Sequence, residues 1–318
     1  MFAETIIMAV AAANPAKEDS SSSPGKQRSR WRAMLALMRP HQWFKNVLVL
    51  VPVALSHQWN SPGVVRHALQ AAVCFCLAAS AVYVTNDLVD IEADKNHRSK
   101  RLRPLAAGEI GRSGAILLAA ALFVAAGVTA LNLSLSFQLT LIMYVAVSLL
   151  YSFYLKTKVI LDICTLAGLY SIRLFAGGAA TSIRISEWTL AFAMFCFLGL
   201  AAVKRYSELR ELPQETTYLS RRGYAQTDQS TVQALGMTSM MVSVLVLALY
   251  LHSPEVTALY RHPQLLWLIC PVMLYWFGRI WILAGRGWMH SDPILFAVRD
   301  RTSLLAAAVI VAIGLLCK

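Results

Sequence analysis

The sequence has few charged residues and no stretch that is polar and long enough to form a separate soluble domain. Asp, Glu, Lys and Arg together make up 14% of the 318 residues, whereas apolar residues make up 57% and the mean hydropathy is +0.55. The chain is therefore predicted to be membrane-embedded. Its net charge is +12, but a soluble basic face is lacking, so no binding to nucleic acid is predicted.

Cysteines are also few. All six lie within apolar stretches, and no two of them have the CxxC spacing of redox and zinc sites. We interpret them as small apolar residues of a membrane core.

Apolar stretches of helix length fill most of the chain. They are too long and too continuous for the alternating pattern of barrel strands, and only helices or closed barrels satisfy backbone hydrogen bonds in lipid. The predicted fold class is an all-α polytopic membrane protein with nine transmembrane helices. The spans are expected at 44–58, 66–88, 113–131, 136–154, 159–181, 188–203, 235–252, 264–284 and 302–317. Residues 1–37 are predicted to be a disordered tail, and 38–318 the transmembrane catalytic domain.

Basic residues are distributed unevenly between the two ends of these spans. Most of the 29 Lys and Arg residues lie in the N-terminal tail and in the second, fourth, sixth and eighth connections. The positive-inside rule places these parts in the cytoplasm, so the C-terminus of a nine-span protein in a bacterial inner membrane lies outside. A homo-oligomer is left open, because lipid-facing helices look alike whether or not a neighbour covers them.

The segment NDLVDIEADKNHRSKRLRPLAAG (86–108) places charge at the end of the second span. A carboxylate near the bilayer centre costs roughly 2.5–3.5 kcal/mol, so such groups are usually paired, solvated or functional. On a helix, Asp87, Asp90 and Asp94 fall within about 60° of each other, whereas Glu92 points away.

Three converging carboxylates would repel one another unless a cation neutralises them. Mg²⁺ prefers oxygen ligands and completes its shell with water and substrate phosphates. The motif therefore predicts a magnesium–diphosphate site, with Lys100, Arg101 and Arg103 binding the free phosphate oxygens. The alternative is a solvated acidic helix end paired with neighbouring arginines.

Further polar residues lie within or beside the predicted membrane spans, where burial of a charge is energetically unfavourable. Arg173 lies in the middle of the fifth span, where a guanidinium needs an anion or a polar cavity. Asp162 is an alternative partner, but it is about 16 Å away along a helix. Residues at cytoplasmic span ends form three further groups: Lys45 in RPHQWFKN, Lys204 and Tyr206 in KRYSELREL, and Arg299 and Arg301 in HSDPILFAVRDR.

The motif NDxxDxxxD at the end of the second of nine helices resembles the UbiA superfamily of intramembrane prenyltransferases. The ordered set RPHQWFKN, SAVYVTNDLVDIEADKNHRSKRLRPLAAG, YSFYLK, YSIRLFAGG and KRYSELREL is similar, from about residue 38 onward, to the decaprenyl-phosphate phosphoribosyltransferase branch. Typical UbiA prenyltransferases carry a second aspartate-rich motif after the sixth helix. Here that place holds KRYSELREL, without DxxxD, which speaks against two metal ions gripping a prenyl diphosphate.

The resemblance implies a UbiA-like bundle that uses Mg²⁺ to transfer phosphoribose from phosphoribosyl pyrophosphate (PRPP) to a polyprenyl phosphate. It implies metal ligation by Asn86, Asp87, Asp90 and Asp94, with Asp87 and Asp90 catalytic. It implies donor contacts from Lys45, Tyr83, Lys100, Arg101, Arg103, Lys156 and Arg173. The acceptor phosphate would be oriented by Lys204, Tyr206, Arg299 and Arg301, with Lys204 and Tyr206 also counted as catalytic.

Two other functions remain as alternatives: a prenyltransferase acting on an aromatic or other small acceptor, and a transporter. For the phosphoribosyltransferase, the resemblance implies a role in arabinosylation of a glycoconjugate. Cell-wall arabinan and a nodulation factor both fit, and no feature of the sequence decides between them.

Overall fold

The computed structural model describes residues 29–317 apart from positions 57, 97–99, 213–217, 220–221, 255, 257–259 and 290–291. The described residues form helices and connections but no β-strand. The α-helices, numbered in chain order, are α1 Arg30–Met38, α2 Val51–Leu55, α3 Pro62–Val89, α4 Ile91–Lys95, α5 Arg112–Ala130, α6 Leu135–Phe153, α7 Leu161–Thr181, α8 Glu187–Arg210, α9 Gln229–Leu251, α10 Ile269–Gly285, α11 Pro293–Arg299 and α12 Arg301–Leu316. A 3₁₀ helix, Pro40–Leu50, joins α1 to α2.

The all-α prediction is confirmed, but nine long spans are not found in the part of the chain that the structure describes. There, seven helices are long and apolar enough to cross a membrane: α3, α5, α6, α7, α8, and α9 and α10 with their preceding 3₁₀ turns. The predicted span 44–58 corresponds to the 3₁₀ helix followed by the short α2. The predicted span 302–317 corresponds to α12, which has 16 residues.

The predicted disordered tail is wrong for its last residues. Residues 30–38 form α1, which buries Ala33 and Leu37 in a cluster with α3 and α5. This burial explains why an arginine-rich stretch is helical, because helices gain most of their stability from packing of an apolar face. Residues 1–28 lie outside the described residues.

Side-chain and proline signals set several helix ends. Pro62 occupies the first turn of α3, where its missing N–H removes no hydrogen bond. Ser134 caps α6 by accepting from the backbone N–H of Phe137 at 3.2 Å. Ser186 caps α8 in the same way, accepting from Thr189 N at 3.1 Å.

Helix α7 lies at the centre of the bundle. One of its faces packs into a cluster with α8, α9 and α10, and another into a cluster with α3 and α6. Near its end, α7 approaches the N-terminal segment so closely that a Cβ on Gly177 would lie 2.0 Å from the carbonyl oxygen of Val49. This close approach, which requires glycine, brings the 3₁₀ helix against the middle of α7.

Candidate active site

A polar cavity of about 280 Å³ opens among the final turns of α3, α6 and α8 and the middle of α7. Each of the five sequence motifs quoted above contributes at least one residue to the wall of this cavity. The predicted site residues that line it are Lys45, Tyr83, Asn86, Asp87, Asp90, Lys100, Arg103, Lys156, Arg173 and Lys204. The fold thus assembles at one place side chains that are far apart in the chain.

The acidic motif is held by arginines. Asp87 is buried, and its Oδ1 accepts hydrogen bonds from Arg39 Nη2 at 2.6 Å and from Arg103 Nη1 at 3.1 Å. The same Arg103 nitrogen donates to Asp94 Oδ2 at 2.6 Å. Asp90 Oδ2 lies 3.6 Å from Lys156 Nζ. Each carboxylate of the motif therefore faces a cation.

Asn86, Asp87 and Asp90 provide oxygens suited to a hard divalent cation. The Oδ1 atom of Asn86 is buried and has no hydrogen-bond partner among the described residues. A buried carbonyl oxygen without a partner is costly, and a cation in the cavity would satisfy it. The chemistry of these three residues therefore fits a hard divalent cation.

The expected fourth ligand, Asp94, does not line the cavity. The chain leaves α-helical geometry at Asp90 (φ −90°, ψ 5°) between α3 and α4, so the three carboxylates do not share one continuous helical stripe. Asp94 is instead buried against Arg103. No group of three His, Cys, Asp or Glu side chains in the described part of the chain is arranged to hold a metal ion.

Arg173 contributes a buried positive charge from the middle of α7. It donates from Nε to Asn46 Oδ1 at 2.9 Å, from Nη2 to the Tyr144 hydroxyl at 3.0 Å, and from Nη1 to the carbonyl of Leu169. Its predicted alternative partner, Asp162, binds other residues. Within the described residues no carboxylate pairs with Arg173, so its charge is available to the cavity.

Two lysines of the cavity wall converge on Asp292, which sequence reasoning missed. Its Oδ2 lies 2.7 Å from Lys45 Nζ and 3.5 Å from Lys204 Nζ, and the Tyr170 hydroxyl lies 3.3 Å away. Burial opposes ionisation of Asp292, but the two ammonium groups outweigh it and lower its pKa to about 2. The only local signal of this residue is Asp before Pro, which predicts the N-cap of α11 and not an ion pair.

Asp162 is also surrounded by cationic side chains. This fully buried carboxylate accepts from Arg205 Nε at 2.8 Å, from Arg222 Nη1 at 3.0 Å and from the Tyr151 hydroxyl at 2.8 Å. Arg205 also pairs with Glu208. Arg222 and Tyr151 line the cavity, and neither was predicted as a site residue.

Besides Asp94, four predicted site residues are not part of the cavity wall. Tyr206 is buried against Trp281, with ring centroids 5.5 Å apart. It stands two positions after Lys204, and two residues are about 200° on a helix, so the two side chains point in opposite directions. Arg101, Arg299 and Arg301 are exposed. Long basic side chains at helix ends commonly remain in solvent.

Residues 47–298 match the UbiA prenyltransferase family, which covers most of the chain. The chain belongs to this family. It is therefore a multi-pass membrane protein, in agreement with its apolar helices. Like several solved members, it is all-helical: a UbiA homolog from Archaeoglobus fulgidus bound to GPP and Mg²⁺ has a TM-score of 0.64 at 16% identity, covering 88% of this chain and 99% of that one.

Curated relatives of this UbiA family member have several names. The uncharacterized protein y4nM of Sinorhizobium fredii is 36% identical over 87% of this chain, which spans 54% of the length of y4nM. Nodulation protein NoeC of Azorhizobium caulinodans is 32% identical, covering 86% of this chain and 92% of NoeC. Decaprenyl-phosphate phosphoribosyltransferase of Mycolicibacterium smegmatis is 36% identical, covering 71% of this chain and 73% of the relative.

Proposed function

We propose that this UbiA family member transfers 5-phosphoribose from PRPP to a polyprenyl phosphate and releases pyrophosphate. The observation that carries the proposal is the charge of the cavity wall. Among the described residues, eight cationic side chains line the cavity but only two carboxylates: Arg39, Lys45, Lys100, Arg103, Lys156, Arg173, Lys204 and Arg222 against Asp87 and Asp90.

Three carboxylates outside the wall, Asp94, Asp162 and Asp292, pair with four of these cations, so eight cations face five carboxylates in all. This surplus fits ligands with several phosphate groups. PRPP carries a diphosphate and a 5-phosphate, and the lipid acceptor brings a further phosphate. A prenyl diphosphate with an aromatic acceptor has one diphosphate and needs fewer cations. The last turns of α8, in the region where typical family members carry a second aspartate-rich motif, contain Arg205 and Glu208, which pair with each other. This pairing favours the phosphoribosyl reaction further.

The cationic side chains of the cavity wall are proposed to bind different phosphate groups in this reaction. Arg103, Lys100 and Lys156, next to the acidic motif, are proposed to bind the diphosphate. Arg173, Lys45 and Lys204 are proposed to bind the remaining phosphates. The acceptor is already an anion and acts as the nucleophile, so no residue needs to serve as a strong general base.

Asn86, Asp87 and Asp90 are proposed to hold Mg²⁺. When bound, the metal would neutralise charge on the departing pyrophosphate. The cations of the wall add to this stabilisation as charge develops on the leaving group, because they are fixed in a partly desolvated site. The apolar helices around the cavity are proposed to accommodate the polyprenyl chain.

The location and role follow from the same proposal. We propose that the protein lies in a bacterial inner membrane with the cavity end facing the cytoplasm, where PRPP is available, the N-terminus inside and the C-terminus outside. The excess of Lys and Arg at the cavity end supports this orientation. The relatives named decaprenyl-phosphate phosphoribosyltransferase and nodulation protein support a lipid-linked phosphoribose that serves arabinosylation of a glycoconjugate, either cell-wall arabinan or a nodulation factor.

The test uses purified full-length protein in detergent, labelled PRPP, a polyprenyl phosphate and Mg²⁺, with and without a chelator. We expect label to enter an organic-extractable lipid, and the chelator to abolish this transfer. A parallel reaction supplies a prenyl diphosphate and an aromatic acid. Turnover of this pair, with no transfer from PRPP to polyprenyl phosphates of several lengths, would replace the proposal by the prenyltransferase alternative.

A further inference from the structure

Arg39 has an unusual backbone conformation for an arginine. It lies between α1 and the 3₁₀ helix with φ 52° and ψ 60°, in the left-handed region where glycine or asparagine is normally found. Its side chain crosses to α3, where the guanidinium lies 5.1 Å above the ring of Tyr83. A strained position that nevertheless holds a long charged side chain at a cavity wall indicates a use for that side chain.

This use is connected with Asp87. One oxygen of Asp87, Oδ1, accepts from both Arg39 and Arg103, and the Asp87 side chain is only 3% exposed. A divalent cation bound to Asp87 would compete with both guanidinium groups for this carboxylate. Cations that close repel one another strongly in a partly desolvated site. The ion pairs of the structure and a bound metal therefore compete for Asp87 unless an anion enters with the metal.

We propose that Arg39 is a substrate-binding residue that exchanges partners, holding Asp87 in the substrate-free enzyme and binding the donor's diphosphate when a divalent cation takes the carboxylate. The proposal rests on the proposed function in one respect, namely that the donor carries a diphosphate. It implies that the metal alone binds weakly, because it must displace Arg39, and that metal and diphosphate bind as a pair.

Arg39 is a cleaner probe of this exchange than Arg103. Arg103 also pairs with Asp94, which is buried, so removing Arg103 would leave a second carboxylate without its partner. When Arg39 is replaced, Asp87 still accepts from Arg103 at 3.1 Å. We therefore test Arg39→Gln, which removes the charge, and Arg39→Lys, which retains the charge but not the planar two-pronged donor.

The experiment titrates full-length protein in detergent with Mn²⁺ alone, observed by electron paramagnetic resonance, and with inorganic pyrophosphate at saturating Mn²⁺, observed by calorimetry. For Arg39→Gln we expect Mn²⁺ alone to bind about tenfold more tightly, because a competing charge is gone. We expect pyrophosphate to bind about tenfold more weakly, because a charged donor is lost. Arg39→Lys should leave the affinity for Mn²⁺ near that of the wild type and still weaken pyrophosphate binding.

Arg112→Gln is the matched control. It removes one positive charge from an exposed pair with Glu92 outside the cavity, so neither affinity should change. Unchanged or weaker Mn²⁺ binding by Arg39→Gln, or unchanged pyrophosphate binding by both Arg39 variants, would overturn the proposal. Because the probes contain neither ribose nor lipid, a wild-type protein that shows the exchange but transfers no phosphoribose would overturn the proposed function alone.

Discussion

Asp162 and Arg205 form an ion pair in which both side chains are completely buried, with Arg205 Nη2 2.7 Å from Asp162 Oδ2. Asp162 lies in the first turn of α7 and Arg205 near the end of α8. The same carboxylate accepts from Arg222, which follows α8 in the chain and lines the cavity. One buried acid thus joins two helices and fixes a cation of the candidate site.

Replacing Asp162 by Asn should destabilise the protein strongly. Breaking a buried ion pair by removing one partner costs about 3–5 kcal/mol, because the remaining charge stays buried. We expect a clear fall in the apparent melting temperature in detergent, together with weaker donor binding as Arg222 loses its anchor. Lys95→Gln, which breaks an exposed pair with Glu92, should change the melting temperature little. Equal melting of the two variants would contradict the structural role of Asp162.

Asp90→Asn should abolish metal-dependent turnover while leaving the fold intact. Asp90 lines the cavity and is partly exposed, so a neutral amide fits, but it is a poorer ligand for Mg²⁺. We expect transfer from PRPP to fall at least about 100-fold. Glu92→Gln is the matched control, because Glu92 is two positions away and exposed outside the cavity. A variant that retained wild-type activity would exclude Asp90 from the metal site.

Asp292→Asn should have an effect on stability that depends on pH. The folded-state pKa of Asp292 is about 2, below its ordinary value of 3.8, so its ionised form stabilises the fold. This contribution, on the order of 2 kcal/mol, is fully present above pH 5 and is lost as the pH falls towards 2, with roughly half remaining at pH 3. The difference in melting temperature between wild type and variant should therefore fall by about half between pH 5 and pH 3. A constant difference would show that the charge of Asp292 is not what stabilises the fold.

Gly177→Ala should disturb the contact between α7 and the N-terminal segment. The added Cβ would lie 2.0 Å from the carbonyl oxygen of Val49, so the backbones must move apart. We expect a loss of roughly 1–3 kcal/mol and lower turnover, because Asn46 moves away from Arg173. Gly168→Ala, on the same helix with no atom within 4 Å of the new Cβ, should be neutral or more stable by up to about 1 kcal/mol. Similar thermal melts for the two variants would contradict this packing.

Local sequence signals were sufficient for seven of the nine predicted spans and for much of the cavity wall. A long apolar run indicates a helix by itself, and a charge in or beside such a run indicates a polar cavity. Arg173 and the acidic motif were found in this way. Helical geometry also argued against Asp162 as the partner of Arg173, and the structure pairs Asp162 with other residues.

Pairings between distant positions were not accessible from the sequence. Lys45 and Asp292 are 247 residues apart, and Arg39 and Asp87 are 48 apart, so neither pair leaves a periodic pattern. Tyr206 could have been placed correctly, because its rotation relative to Lys204 follows from helix geometry. The interruption of the helix at Asp90 was not predicted, because the segment NDLVDIEAD contains neither glycine nor proline. These are the residues that usually mark a helix end.

The 3₁₀ helix and the residue before it define where a minimal catalytic unit must begin. The match to the UbiA family starts at residue 47, but Arg39, Lys45 and Asn46 precede that boundary. A protein trimmed to the matched region would leave Asp87, Asp292 and Arg173 each short of one partner. Domain boundaries drawn from family similarity would thus cut through the candidate active site, and expression of an active fragment requires a start before residue 39.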